Sequence, residues 1–414
     1  MSKKNINPVR EVEREFGVIR PLIAVMFSMI LCFIIIFIAS AEPFEALKLL
    51  ITGPLSTVRR FGNVIETWIP FMFTGCAICI LYSANVINMA AEGAFFLGGV
   101  AASFVAIRFA LPPGIHPLAA ILAGGVAGSI VCLIPGYLEM KFDAKAVVSS
   151  LMLNYVCLYV GLYVIKFVLR DPQAGFIASE KFMPTAVLSK LIKGSNVHGG
   201  IFIAVLVVVF SYLYLYKSRW GYSVRIIGKN PFFAKYSGIR VASVVVSSQI
   251  LGGFIAGAGG GVQLIGMYDR FQYQQLPQFG FDGILIAILA KQNPKYVPLT
   301  GFFLAYIRTG AEIMSRKTDV PYEIVQVVQA LIIMMMAAQL FLQKWKHKKI
   351  VAATRKVLEI QGVIQLRGEP EARNTFENPG AVTPVTEPIV FPMSGPLIYN
   401  FPPNSVTILK LYME

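Results

Sequence analysis

Six polar side chains in this 414-residue sequence stand inside or at the edge of long apolar runs: Asn88, Glu92, Asn154, Gln263, Asp282 and Gln326. Burying such groups in hydrocarbon is expensive, so they are the first candidates for a pathway through a membrane. The chemistry they offer is hydrogen bonding and charge pairing, not bond making. The five cysteines (Cys32, Cys76, Cys79, Cys132, Cys157) all lie in apolar runs, which argues against a disulfide framework or a redox pair. The three histidines are scattered and show no metal-ligand spacing. Gly221 and Gly228-Lys229-Asn230 superficially suggest a phosphate loop. Their separation is too long, and Asn230 stands where a magnesium-binding Ser or Thr is needed. Neither a metal site nor an ATPase is legible.

The elements that must position these residues are membrane spans. The chain is 56% hydrophobic and 14% charged, more apolar side chain than a soluble domain of this length can bury. Runs able to cross a bilayer core number about ten: Leu22–Ala39, Thr67–Tyr82, Ala91–Phe109, Pro117–Met140, Val147–Leu169, Ile201–Tyr216, Ala242–Met267, Phe281–Ala290, Val297–Ile313 and Ile324–Phe341. The eighth is short, which predicts a tilted or broken helix. Leu22–Ala39 precedes Ala39-Ser40-Ala41, a signal-peptidase-like sequence, but the run is long and Glu11, Glu13 and Glu15 precede it; it reads as a retained first helix. The formal charge of +15 comes from basic residues flanking apolar runs, a topogenic and lipid-facing pattern that excludes nucleic acid as a partner. The positive-inside rule places both termini in the cytoplasm, although Lys48, Arg59 and Arg60 fall outside.

Each candidate carries two readings. Glu92 is either a charge favoured at its helix N-terminus or a pathway residue. Asn154 either bonds a neighbouring helix or lines a pore. Asp282 reads first as a cap of the helix it opens and second as a pathway residue. Gln326 and Gln329 lie one turn apart on a shared face. Gly253, Gly257 and Gly261 recur every four residues, a flat stripe on which another helix backbone can pack. Between two spans lies Lys217–Arg240, with six Lys or Arg and no acid, at a membrane face that the charge rule makes cytoplasmic.

The order of residues in that loop, with Arg219, Gly221, Arg225, Gly228, Asn230-Pro231, Ala234, Tyr236 and Gly238-Ile239, resembles permease subunits of the ribose, branched-chain amino acid and nucleoside importers of the ABC class. Four further segments resemble the same family in order. They are Asn85–Gly98, Lys145–Tyr155, Gly280-Phe281-Asp282-Gly283 and Pro321–Ala330. The first departs from the nucleoside and simple-sugar branch, with Met89-Ala90 for Ile-Gly and Ala94 for Gln; in the second, Ala146 replaces an acid. The resemblance covers about residues 18–345. It implies an all-α polytopic protein of the bacterial inner membrane that carries a nucleoside or simple sugar across the lipid bilayer. It also implies a second permease subunit, an ABC ATPase docked on the basic loop, and an extracytoplasmic solute-binding lipoprotein. ATP and magnesium then belong to the ATPase, and no cofactor to this chain. A secondary transporter not driven by ATP is the alternative, but it needs no ATPase-docking loop.

Three parts are expected: a cytoplasmic segment 1–20, a membrane domain 21–345 and a cytoplasmic tail 346–414. The tail is proline-interrupted, with strand-prone pieces such as Ser405–Leu411. Gly368–Pro379 and Phe401–Thr407 resemble the end of a family-51 α-L-arabinofuranosidase. The catalytic barrel of such an enzyme is absent, so no activity follows. The tail is expected to be β-prone or disordered.

Overall fold

A computed structural model describes residues 30, 33–37, 42–191, 194–320 and 327, and the backbone of strands 358–367, 383–387 and 405–413. The chain divides into two units, Phe27–Ala337 and the remainder. The larger unit is helical: α1 (Pro43–Thr52), α2 (Val58–Ser83), α3 (Ala91–Arg108), α4 (Ile115–Phe142), α5 (Ala146–Phe167), α6 (Gly200–Lys217), α7 (Arg219–Lys229), α8 (Pro231–Tyr236), α9 (Val241–Met267), α10 (Phe279–Leu289) and α11 (Val297–Lys317).

Among the described residues six helices are long and apolar enough to cross a membrane: α2, α3, α4, α5, α6 and α9. Ten spans are therefore not confirmed. The expected first and last runs lie largely outside the described residues. Helix α10 has 11 residues, about 16 Å of helix against a core of ~30 Å. Helix α11 is long, but Arg308, Glu312, Arg316 and Lys317 load its second half with charge, which an apolar count ending at Ile313 underweights.

Glycine determines the centre. A Cβ on Gly257 would lie 2.2 Å from the Gly124 carbonyl oxygen, one on Gly253 2.4 Å from that of Gly128, and one on Gly98 2.4 Å from that of Gly257. Helices α3, α4 and α9 thus meet backbone to backbone, gaining dispersion contacts where lipid offers no hydrophobic driving force. A Cβ on Gly261 would lie 3.1 Å from the Ala102 methyl. On the periphery Phe202 and Leu206 of α6, and Tyr159 of α5, are exposed, as suits surfaces that face acyl chains.

The connection between α5 and α6 folds over the end of α9. Ser179 N–H donates to Phe271 O (3.1 Å), Phe182 N–H to Asp269 O (2.8 Å) and Leu188 N–H to Ile265 O (3.0 Å), and Arg270 pairs with Asp171 at 3.0 Å. The second unit contains β1 (Leu358–Arg367), β2 (Thr383–Glu387) and β3 (Ser405–Met413), an antiparallel sheet in the order β2-β1-β3. Val363 pairs with Glu387 on one side and Leu409 on the other, with an irregularity between Ile360 and Gly362.

Candidate functional site

Three of the polar candidates converge where α3 begins, and each is fully occupied there. The Glu92 carboxylate is buried and accepts from the backbone N–H groups of Gln278 (2.6 Å), Gly280 (2.6 Å) and Phe281 (3.3 Å). These belong to the first turn of α10, whose own N-cap Gln278 supplies no side-chain bond. The acid therefore caps a helix, but a different helix from the one that carries it. Asp282, expected to cap α10, does not. It pairs with Arg308 of α11 at 2.6 Å. Distance along the chain hid this exchange of roles: the cap comes from 186 residues away.

Asn154 accepts from Gly93 N–H (2.9 Å) and donates to Met89 O (3.0 Å). Asn88 donates to Cys132 O and Gln249 Oε1, both at 2.9 Å, and accepts from Ala90 N–H at 2.9 Å. Both amides stitch α3 to its neighbours. Of the two readings of Asn154, the geometry matches the helix-to-helix bond.

Gln263 lies elsewhere. With Asp282's partner Arg308 it lines a polar cavity of about 370 Å³, together with Arg59, Asn63, Glu66 and Thr67 of α2, Asn196 of the α5–α6 connection, Phe279 of α10 and Glu312 of α11. Gly62 admits the connection: a Cβ there would fall 2.1 Å from Ser195 Oγ. Gln263 Nε2 donates to Met267 Sδ at 3.1 Å, while its Oε1 is buried without a partner. Tyr268 borders the same space, and burial raises the pKa of its phenol. Gln326 lies outside the described residues. Glu66 and Arg308 were missed in the sequence, yet Arg59, Asn63 and Glu66/Thr67 form a polar stripe at helical spacing that marks one face of α2.

The basic loop is two helices. Ser218 Oγ accepts from Gly221 N–H (3.0 Å) to start α7, and Asn230 Oδ1 accepts from Phe233 N–H (3.0 Å), with Pro231 at the first position, to start α8. Their inner side is tightly seated. A Cβ on Gly221 would lie 2.0 Å from Tyr214 O of α6, and one on Gly228 2.1 Å from Ser83 O at the end of α2. Ala234 is buried, and Arg225 stacks on the Tyr216 ring at 4.7 Å. Gly228 and Arg225 thus face the bundle, while Arg219, Trp220, Phe232 and Tyr236 are exposed, Tyr236 by 90%. Gly238 reverses the chain at φ +80°. Beside the pair runs a groove of about 590 Å³ lined by Lys217, Arg219, Tyr222, Phe233 and Ile239.

His198 is a packed residue. Its Nδ1 accepts from Gly200 N–H at 3.2 Å, and burial, helped by Lys190, pushes its pKa down to about 4. Among the described residues no cluster of His, Cys, Asp or Glu could hold a metal.

A bundle of membrane-length helices with a polar cavity inside and a seated helix pair at one face has the form of a transport permease. The sequence matches the family described as "Branched-chain amino acid transport system / permease component" over residues 61–337. The chain belongs to this family; it is a multi-pass membrane protein and the permease subunit of an ABC importer. Its relatives include the glucose ABC transporter permease protein TsgB13 of Haloferax volcanii, 27% identical over 82% of this chain and 92% of that protein. The guanosine ABC transporter permease protein NupP of Bacillus subtilis is 28% identical over 79% of this chain and 95% of that one. The nucleoside ABC transporter permease protein NupB of Lactococcus lactis is 28% identical over 82% and 97%. The tail's resemblance to an arabinofuranosidase is not borne out.

Proposed function

We propose that this subunit carries a nucleoside or simple sugar through a bacterial inner membrane, pairing with a second permease subunit. A separate ATPase, where ATP and magnesium bind, docks on α7 and α8, and an extracytoplasmic lipoprotein delivers the solute. The chain itself binds no cofactor. The relatives' solutes, glucose, guanosine and nucleosides, support the solute class. The observation that carries the coupling role is the two-sided helix pair: glycines seat it on α6 and α2, and Trp220, Phe232 and Tyr236 are left for a protein partner. Closure of an ATPase dimer would press on this pair and tilt α6 and α2, exchanging outward for inward access.

In this reading the membrane domain spans 21–345 with about ten crossings, counting the runs at either end, and the segments 1–20 and 346–414 are cytoplasmic. The cavity bordered by Arg59 and Glu66 then opens outward, and the Lys217–Arg240 face is inward. Gln263 and the Asp282–Arg308 pair remain pathway residues, with Gln326 proposed beside them. Asn88, Asn154 and Glu92 shape the pathway by holding α3 and α10. Reconstitution tests the division of labour. In liposomes the chain alone is expected to turn over no ATP and accumulate no solute, and to gain both only with the ATPase, the second permease and the solute-binding lipoprotein. Uphill uptake by the chain alone would establish a secondary transporter instead.

A further inference from the structure

The cavity has a direction. At its mouth Arg59 and Arg316 are exposed, whereas at its floor Glu66 is 6% and Gln263 2% exposed. The floor's one guanidinium is already engaged: Arg308 pairs with Asp282 at 2.6 Å, approaches Glu312 at 3.7 Å and lies over the Phe279 ring at 5.2 Å. What the floor offers a newcomer is acceptor capacity. Gln263 Oε1 has no partner, and a buried amide oxygen left unpaired is costly unless a ligand or water completes it. The Glu66 carboxyl group, which also bonds Asn196, adds acceptor sites beside it. Phe279 supplies an aromatic wall, held edge-on by Phe71 at 5.8 Å.

We infer that this cavity is a solute subsite that selects hydroxyl donors: Glu66 and Gln263 accept from the hydroxyls of a neutral ring solute, and Phe279 packs against its face. The volume of about 370 Å³ suits one solute of nucleoside size. A site built from acceptors discriminates strongly against an analogue that lacks the hydroxyls, because its buried groups then stay unpaired. The inference rests on the permease reading above and adds to it the atoms that do the selecting.

The test uses proteoliposomes holding the complete importer, with adenosine and 2′,3′-dideoxyadenosine as probes and glucose as the sugar control. Glu66→Gln and Gln263→Leu are each expected to raise the KM for adenosine about tenfold, the size of one charge-assisted or buried hydrogen bond. The KM for dideoxyadenosine should move less than about twofold if the two acceptors read the 2′- and 3′-hydroxyls, which that probe lacks. Glu66→Asp should recover part of the loss. Equal losses for both nucleosides, or no loss in either variant, would overturn the subsite. Uptake of neither adenosine nor glucose by the wild-type importer would instead remove the proposed solute class, a result read before any variant is made.

Discussion

Two buried polar regions lie in the same apolar body, and they differ in whether their hydrogen bonds are complete. Around the start of α3, Glu92 takes three backbone donors, Asn154 spans Gly93 and Met89, and Asn88 bridges α4 and α9. In the cavity between α2, α9 and α11, Gln263 Oε1 has no partner, and Glu66, bonded to Asn196, lines the open space beside it. Every one of these groups is costly to place in hydrocarbon. Where the bonds close on the protein itself, the polar groups hold the scaffold. Where a bond stays open, as at Gln263 Oε1, the group is what the proposed pathway uses.

The sharpest break in this comparison comes from Glu92. Glu92→Leu strips the first turn of α10 of its acceptor and leaves three N–H groups without it, that of Gly280 buried, which should cost roughly 3 kcal/mol. The expected result is a large fall in detergent-extracted thermal stability and little assembled importer. A stable, active Glu92→Leu subunit would show that the anchoring carboxylate is dispensable. Asn154→Leu should cost less, roughly 1–2 kcal/mol, read by the same unfolding curve. Gln263→Leu, which removes an unpaired amide oxygen and only a weak bond to Met267 Sδ, should change stability by less than about 0.5 kcal/mol or raise it. Its loss should appear in uptake alone. A Gln263→Leu subunit as unstable as Asn154→Leu would erase the distinction between the two regions.

Much of the helical frame was legible, because hydropathy reads length and sign well. The runs Ala91–Phe109 and Ala242–Met267 lie within two residues of α3 and α9. Hydropathy could not rank polar residues by role. Glu92 read as a charge at its own helix N-terminus or a pathway residue and Asp282 as a cap of its own helix, since sequence shows only near neighbours, and the true cap crosses from α3 to α10. Glu66 sat one residue outside its counted run and so escaped notice, although the stripe from Arg59 through Asn63 pointed to it. Lys217–Arg240 was read as a loop because its helices are short and broken at Asn230-Pro231, with several of their apolar residues exposed.

The central claim, that an ATPase on the α7–α8 face drives this subunit, has a direct measurement. Cys76, Cys79, Cys132 and Cys157 are buried, so in a Cys32→Ser background Tyr236→Cys provides an accessible thiol. Labelled with a maleimide–benzophenone and irradiated in membranes holding the complete importer, it should form an adduct with the ATPase whose yield changes when ATP is added. An Arg59→Cys label at the cavity mouth should form no such adduct. No ATPase adduct from position 236, or an equal one from position 59, would contradict the account.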